Sequence, residues 1–547
     1  MKKKSFIVLL MFLFSSTLSS QTTFNKEIWP MKFISLFGPL LTKGDTIICI
    51  GYGTDYYSYS DYHPYVAKYD MEGNFISRYV DYSKGDYYYQ FMRDAYWEGD
   101  SIITVIMNFR APPPVGTYLV IIDSNTGKFI KKQRIYKPES PGRYGRPMGI
   151  TKIDSVTYAV VMQFTQEGDR YHDNIVVSII NIEMDRIKNI ELHRDTIHDV
   201  PEVIRWNGEK LLVGSYKIIY YYDWEKEKYL RTSQGVIYEV DTTGTWREAF
   251  VTNFNRARVS DIFITEDGEY IISLLKIIYY YYEGERKYRW HFSVMKLDKD
   301  FNLQWEKPWG FGFDVNYLMD WAGILKAEEG DGYILSGYQP NYPYTKEGVG
   351  YWNISENTLD SMKKAGMIPM TVGILQKVDK YCDSIWMRSY SYVRDTSLDF
   401  VEHELHDVEH SPDGGYILYG MITHGPRPGI DTANQFPGWL LKVDRYGCLV
   451  PGCQDTTDTT GVLDISIGRD IKLYPNPAND KLYIYQNRGG GVTYTISDIH
   501  GKKLRVWRGH RAGHTYILDV SKFLPGVYIL TVEKSEGIAS KKFVVGR

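Results

Sequence analysis

The chain is poor in cysteine: four in 547 residues, at Cys49, Cys382, Cys448 and Cys453. So few thiols exclude a small disulfide-built scaffold. Charge of one sign is also missing. A formal net charge of -3 leaves no broad basic surface for nucleic acid and no acidic tail. Helical periodicity is nearly absent, and no segment beyond the first twenty residues is long and apolar enough to span a bilayer. A phosphate loop, a dinucleotide fingerprint and a nucleophile elbow are likewise missing, so neither cofactor nor catalytic residue is assigned.

Tyrosine is abundant, 48 residues against 22 phenylalanines. Its apolar body and polar tip suit positions that are half covered and half wet. The N-terminus has the profile of a secretory signal: Met1-Lys-Lys-Lys4, an apolar run of about nine residues from Phe6, then small residues to Ser20. Residues 1–20 are expected to be removed.

A polar turn followed by a short apolar strand recurs seven times. It reads "GDTIICIG" from Gly44, "GDSIITVI" from Gly99, "DSVTYAVV" from Asp154, "NGEKLLVG" from Asn207, "EDGEYIIS" from Glu266, "GDGYILSG" from Gly330 and "PDGGYILYG" from Pro412. A second strand follows each, usually ending in Asp and a turn, as in "SVMKLDKDFNLQW" and "WLLKVDRYGC". Repeated sets of short strands between turn signals predict an all-β fold, a seven-bladed β-propeller over residues 21–453. The seventh unit lacks room for a fourth strand. "FNKEIW" from Phe24 to Trp29 resembles the outer strands "FNLQW" and "CDSIW", so the N-terminus is expected to close the ring, Trp29 taking the place of Trp305 and Trp386. On that topology Cys49 and Cys382 lie too far apart to bond, whereas Cys448 and Cys453, across a Pro-Gly turn, form a local bridge or remain free thiols.

With strands A to D numbered from the axis outward, the "DG" and "D-x-x-G" turns fall on one rim and the long B–C segments on the other. Those segments hold Tyr56, Tyr57, Tyr59, Tyr220, Tyr222, Tyr279, Tyr281, Tyr342 and Tyr344. Long connections on a rigid scaffold carry binding function, so these tyrosines are candidate ligand contacts for a glycan or an extracellular protein. The competing expectation is a long hairpin in which "IIYYYY" pairs with "RKYRWHF".

"VEHELHDVEH" from Val401 contains the H-x-x-E-H pattern of inverted zinc peptidases. That pattern needs a helix. "SPDGGYIL" follows at once and makes the segment an innermost strand, where i and i+4 lie about 13 Å apart; a solvated channel lining is expected, and no metal site. "DSNTGK" from Asp123 and "DKDFN" from Asp298 have turn chemistry but no acidic ligand at the twelfth position of a calcium loop.

"DGGYILYG…GWLLKVD" at Asp413 to Asp444 resembles a repeat of exported Bacteroidetes-type proteins, which implies a propeller but no chemistry. A polar linker at 454–468 separates the repeats from residues 469–547, where about seven short strands predict a small Ig-like sandwich. Tyr474-Pro475-Asn476-Pro477, Asp498-Ile-His-Gly501, Leu524-Pro525-Gly526-Val-Tyr528 and Lys541-Lys-Phe-Val-Val545 resemble the type A sorting domain of the type IX secretion system. The resemblance implies export across the outer membrane by that machinery. It also implies removal of the domain, with the cargo attached to surface lipopolysaccharide or released. The expectation is thus a secreted or surface-displayed binding protein. An extracellular propeller enzyme acting on polysaccharide or peptide is the alternative, and a structural surface-layer role the third.

Overall fold

A computed structural model describes residues 22–546, apart from 32–33, 56–61, 83–88, 109–115, 137–143, 166–172, 193–197, 224–227, 309–322, 341–370, 393–400, 425–435, 450–470 and shorter stretches between strands. The first seven sheets are antiparallel and follow one another along the chain. Six are four-stranded; the second has five because its inner strand is split into Tyr89–Phe91 and Tyr96–Glu98. The expected propeller is thus present, built from the seven repeats.

No single core serves the ring. Buried apolar side chains form one cluster at each seam between neighbouring blades, and an eighth lies in the C-terminal region. The C–D turns are fixed by aspartate. Asp298 Oδ1 accepts the amides of Asp300 and Asn302 at 2.9 and 2.8 Å, and Asp123 Oδ1 those of Asn125 and Thr126 at 2.8 Å. The carboxylates are consumed by the turn, as the sequence chemistry predicted. At two seams a lysine ties one blade to the turn of the next: Lys188 Nζ donates to the Thr242 and Thr243 carbonyls, and Lys131 Nζ to that of Ile182.

Blade seven consists of Val401–His410, Tyr416–His424 and Gly438–Val443, with Phe24–Ile28 paired to the last of these. The N-terminal strand therefore closes the ring. Its register corrects one detail. Trp305 and Trp386 stand opposite Lys296 and Lys377, and the corresponding Lys442 stands opposite Phe24, not Trp29. Phe24 also makes the equivalent packing contact: a Cβ on Gly73 of blade one's turn would come within 2.8 Å of the Phe24 ring, just as one on Gly447 would meet Trp386. Gly73 has φ +72°, so glycine is required there twice over. Trp29 lies past the strand and donates from Nε1 to Glu27 Oε1 at 2.7 Å.

Closure is sealed by Lys442, which has no exposed surface. Its ammonium donates to Asp413 Oδ2 at 2.7 Å, Thr22 Oγ1 at 2.8 Å and the Met71 carbonyl at 3.1 Å, so all three protons have acceptors. Cys49 and Cys382 are free and belong to different seams, while Cys448 is disulfide-bonded. Cys453, its expected partner, lies outside the described residues.

The C-terminal region is a two-sheet sandwich. Ile471–Tyr474, Lys481–Gln486 and His514–Asp519 form one sheet; Lys503–Gly509, Val492–Asp498, Gly526–Lys534 and Gly537–Val545 form the other. Among the described residues no helix is long and apolar enough to cross a membrane, which says nothing about strands.

Candidate functional site

Val401–His410 is the inner strand of blade seven, which removes the helical zinc geometry from its H-x-x-E-H pattern. Among the described residues no group of three or more potential ligands is placed to hold a metal ion. His406 Nε2 and Glu404 Oε2 do approach to 3.1 Å. The lining is drier than the sequence suggested: desolvation pushes Glu404 and Glu409 up to about 7, and burial, reinforced by Glu409, raises Asp407 well above the usual carboxylate range.

Other blades contribute to the same charge cluster. Arg205 of blade four donates to Asp94 Oδ2 at 3.1 Å and to Asp261 Oδ1 of blade five at 2.8 Å. Burial alone would lower the guanidinium pKa, but these two carboxylates raise it. Asp94 also adds to the upward shift of Asp407 and Glu409. Two of these acids act as staples between blades. Asp407 Oδ2 accepts the Leu40 amide at 2.8 Å, from blade seven to blade one, and Asp261 Oδ2 accepts that of Ile324 at 3.2 Å, from blade five to blade six. Each follows a β-bulge in its strand, between Leu405 and Asp407 and between Val259 and Asp261, which turns the carboxylate toward its neighbour. Asp407 Oδ1 accepts the Val408 amide as well. A carboxylate with both oxygens on backbone amides is a fixed structural acceptor. Glu404 and Glu409, five apart along a strand, have backbones separated by roughly 16 Å at about 3.3 Å per residue; a glycosidase pair needs about 5–9.5 Å.

The tyrosine runs of blades four and five are strands rather than loops. Leu211–Asp223 pairs with Lys228–Val240, and Tyr270–Tyr282 with Glu285–Leu297, each strand 13 residues long. Their inner partners stop at Ile218 and Lys276, and their outer partners at Val236 and Ser293. Beyond those points 219–223 with 228–232, and 277–282 with 285–290, continue as two-stranded ribbons on the B–C rim. The long-hairpin expectation therefore describes the backbone correctly. In register, Tyr220 stands opposite Arg231 and Tyr222 opposite Tyr229; Tyr279 stands opposite Tyr288 and Tyr281 opposite Arg286. Three tyrosines and one arginine thus occupy these two register pairs in each ribbon.

Both ribbons are rooted alike. Lys217 and Lys276, just before each "IIYYY", are largely buried and reach outward to Glu248 (3.1 Å) and Glu306 of their own blade's outer strand. Sequence reasoning missed this root and the arginines, although "KIIYYY" occurring twice was the signal. It also missed Asp94, Arg205 and Asp261, which come together only through the ring. Tyr56, Tyr57, Tyr59, Tyr342 and Tyr344 lie outside the described residues.

In the sandwich, the Tyr528 hydroxyl donates to the Leu524 carbonyl at 2.7 Å, clamping the Leu-Pro-Gly turn, and its ring stacks on Phe543 with centroids 5.7 Å apart. Tyr474 stands opposite Tyr483, Lys541 opposite Leu530, and Gly526 opens its strand. Residues 475–477 and 525 lie outside the described residues.

Residues 472–546 match the family of secretion system C-terminal sorting domains. The chain is therefore a β-propeller protein carrying that domain: an export cargo of type IX secretion, bound for the outer-membrane surface or the medium, with the secretion machinery as partner. None of the curated proteins matches it. Among solved structures, a protein of unknown function from Dyadobacter fermentans is similar at 9% identity and TM-score 0.35, over 65% of this chain and 94% of that one. The phage phi92 endosialidase is similar at 9% identity and TM-score 0.35 (77% and 69%), and the WD40 domain of SCAP from fission yeast at 8% and 0.29 (78% and 99%). Such likeness carries no inference about activity or ligand.

Proposed function

We propose that the protein is a non-catalytic binding module that captures a glycan or an extracellular protein through the tyrosine-rich B–C rim. What carries the reading is the pair of ribbons on adjacent blades, with the same Tyr-Tyr-Tyr-Arg composition in two register pairs and the same lysine root. Two-stranded ribbons are marginal on their own, so repeating one on neighbouring blades needs a reason beyond blade stability. Tyrosine rings stack on sugar faces or grip peptide side chains, and their hydroxyls and the arginines supply directional hydrogen bonds. In the sequence, the tyrosines at 56, 57, 59, 342 and 344 fall in the corresponding B–C segments of other repeats. The repeat's resemblance to exported Bacteroidetes-type proteins, the signal-like residues 1–20 and the sorting domain fit one route: leader removal, outer-membrane passage, loss of the domain, then attachment to lipopolysaccharide or release. A glycan and peptide array probed with the mature protein tests the binding step. Saturable binding to one ligand class supports it; an array with no hits, together with hydrolysis of a polysaccharide or peptide by the same preparation, favours the enzyme alternative.

A further inference from the structure

The sorting sandwich has one closed side and one open side. On the closed side the chain leaving Ile471–Tyr474 reaches Ala478. The Ala478 amide donates to the Val544 carbonyl at 2.8 Å, and the Ala478 carbonyl accepts from Gly546 at 3.0 Å, so the end of the Gly537–Val545 edge is occupied. On the other side Lys503–Gly509 ends the four-stranded sheet and His514–Asp519 ends the three-stranded one. Only residues 510–513 separate these two strands, so the chain steps directly from one edge to the other and both edges lie along one side of the sandwich.

Among the described residues Lys503–Gly509 pairs with Val492–Asp498 alone. The strand is firmly held: Trp507 stacks on the buried Tyr494 with centroids 5.0 Å apart and planes 13° from parallel, and the Arg505 guanidinium lies 5.8 Å from the Trp507 ring centre. Its remaining side chains face water. Leu504 is 42% exposed and Val506 55%; Lys503, Arg505 and Arg508 are exposed beside them. Residues 469–547 hold 14 Lys and Arg against 6 Asp and Glu, in a chain whose net charge is -3. Lysine and arginine on an edge strand are an ordinary guard against self-pairing. That guard does not account for two exposed aliphatic residues, Leu504 and Val506, two apart on the same strand.

We infer that this open side is the surface on which the export machinery docks, and that it takes an acidic partner strand with alternating apolar side chains, added along Lys503–Gly509. A rigid free edge supplies the main-chain hydrogen bonds, Leu504 and Val506 supply apolar contacts, and the basic residues select an acidic partner.

The test is export of the full chain in its own host, with purified variants checked by thermal melting. Val506→Asp, and separately the pair Arg505→Glu and Arg508→Glu, are expected to cut the surface and supernatant yield at least tenfold while the sorting domain still melts like the parent. Arg508→Glu alone leaves the aromatic stack untouched and is expected to cut yield severalfold; the same charge change at exposed Lys522 is expected to leave it unaltered. Parental export of the folded Val506→Asp and paired variants overturns the inference, as does equal loss with Lys522→Glu, which would reduce the effect to net charge. Two further results overturn it: a dimer of the parent in sedimentation that Val506→Asp dissolves, and flotation of the parent with phosphatidylglycerol vesicles, lost in the arginine pair, while Val506→Asp exports normally.

Discussion

Lys442 and Asp413 meet at 2.7 Å in the interior of blade seven, the lysine with no exposed surface and the aspartate side chain 29% exposed. The pair is completed by Thr22 and Met71, so one ammonium joins blade seven, blade one and the N-terminal segment.

Replacing Lys442 with methionine keeps the volume but leaves Asp413 and two further acceptors without their donor. Breaking a buried pair in this way costs about 3–5 kcal/mol. Deleting residues 22–29 removes the closing strand as well, exposes two sheet edges, and is expected to lower stability further. Chemical denaturation of the three proteins should rank them parent, Lys442→Met, deletion; a deletion variant that melts like the parent is incompatible with ring closure through Phe24–Ile28.

Changing Tyr220, Tyr222, Tyr279 and Tyr281 to serine is expected to abolish ligand capture on the array while shifting the melting temperature little. Were these rings packed in an interior, each would cost about 1.5–3 kcal/mol, and four together would unfold the protein. A large fall in melting temperature therefore contradicts a recognition role.

The mature protein is expected to lack residues 1–20 and everything beyond the linker at 454–468. Intact-mass measurement on surface-bound and released protein checks both ends independently. A complete C-terminus on exported protein contradicts the removal step.

Stability is expected to fall as pH rises from about 5 to about 8. Glu404 and Glu409 ionise near 7 in the folded chain, against a reference value of 4.5. The folded state therefore binds protons more tightly than the unfolded one. That stabilisation is present below the unfolded value, fades through the window between the two, and is gone above the folded value. The order of magnitude is about 3 kcal/mol for each group. Asp407 shifts in the same direction, whereas Asp413, lowered despite its burial by hydrogen bonds from Lys442 and Ser411 and by the lysine charge, loses its contribution only in acid. Urea titrations at pH 5, 6, 7 and 8, repeated on Glu404→Gln, check the sign; a flat profile, or one rising with pH, contradicts it.

The free thiols are expected to be inert in the native ring. Burial raises Cys382 to about 12 and Cys49 well above its ordinary value, so almost no thiolate is present at neutral pH. Iodoacetamide should label neither until the protein is unfolded, and then both.

Much of the ring is legible in the sequence because its determinants are local. A turn such as Asp298 to Asn302 needs its aspartate wherever it occurs, so seven turns with seven apolar strands announce seven blades. The closing strand is legible for the same reason, but its register is not. Residue type matches Trp29 to Trp305 and Trp386, whereas pairing to Lys442 selects Phe24, an aromatic of another kind. The tyrosine runs read as loops because their partners, rich in Lys, Glu and Arg, look like solvent-exposed connection; only pairing shows Tyr220 opposite Arg231 as a strand position. The axial cluster is the least legible. Asp94, Arg205, Asp261 and Asp407 come from blades two, four, five and seven, and nothing in their local sequence states that closing a ring will gather them.

The strand Phe24–Ile28 has one more consequence. Because it completes blade seven, the chain enters and leaves the ring side by side, the Thr23 hydroxyl against the Leu449 carbonyl. The sorting domain, which follows Leu449 in the chain, is therefore joined to the ring through a single blade. Blades four and five stand more than a quarter of a turn away around the axis. A ring held at that point keeps its two ribbons on the half of the wheel remote from the attachment.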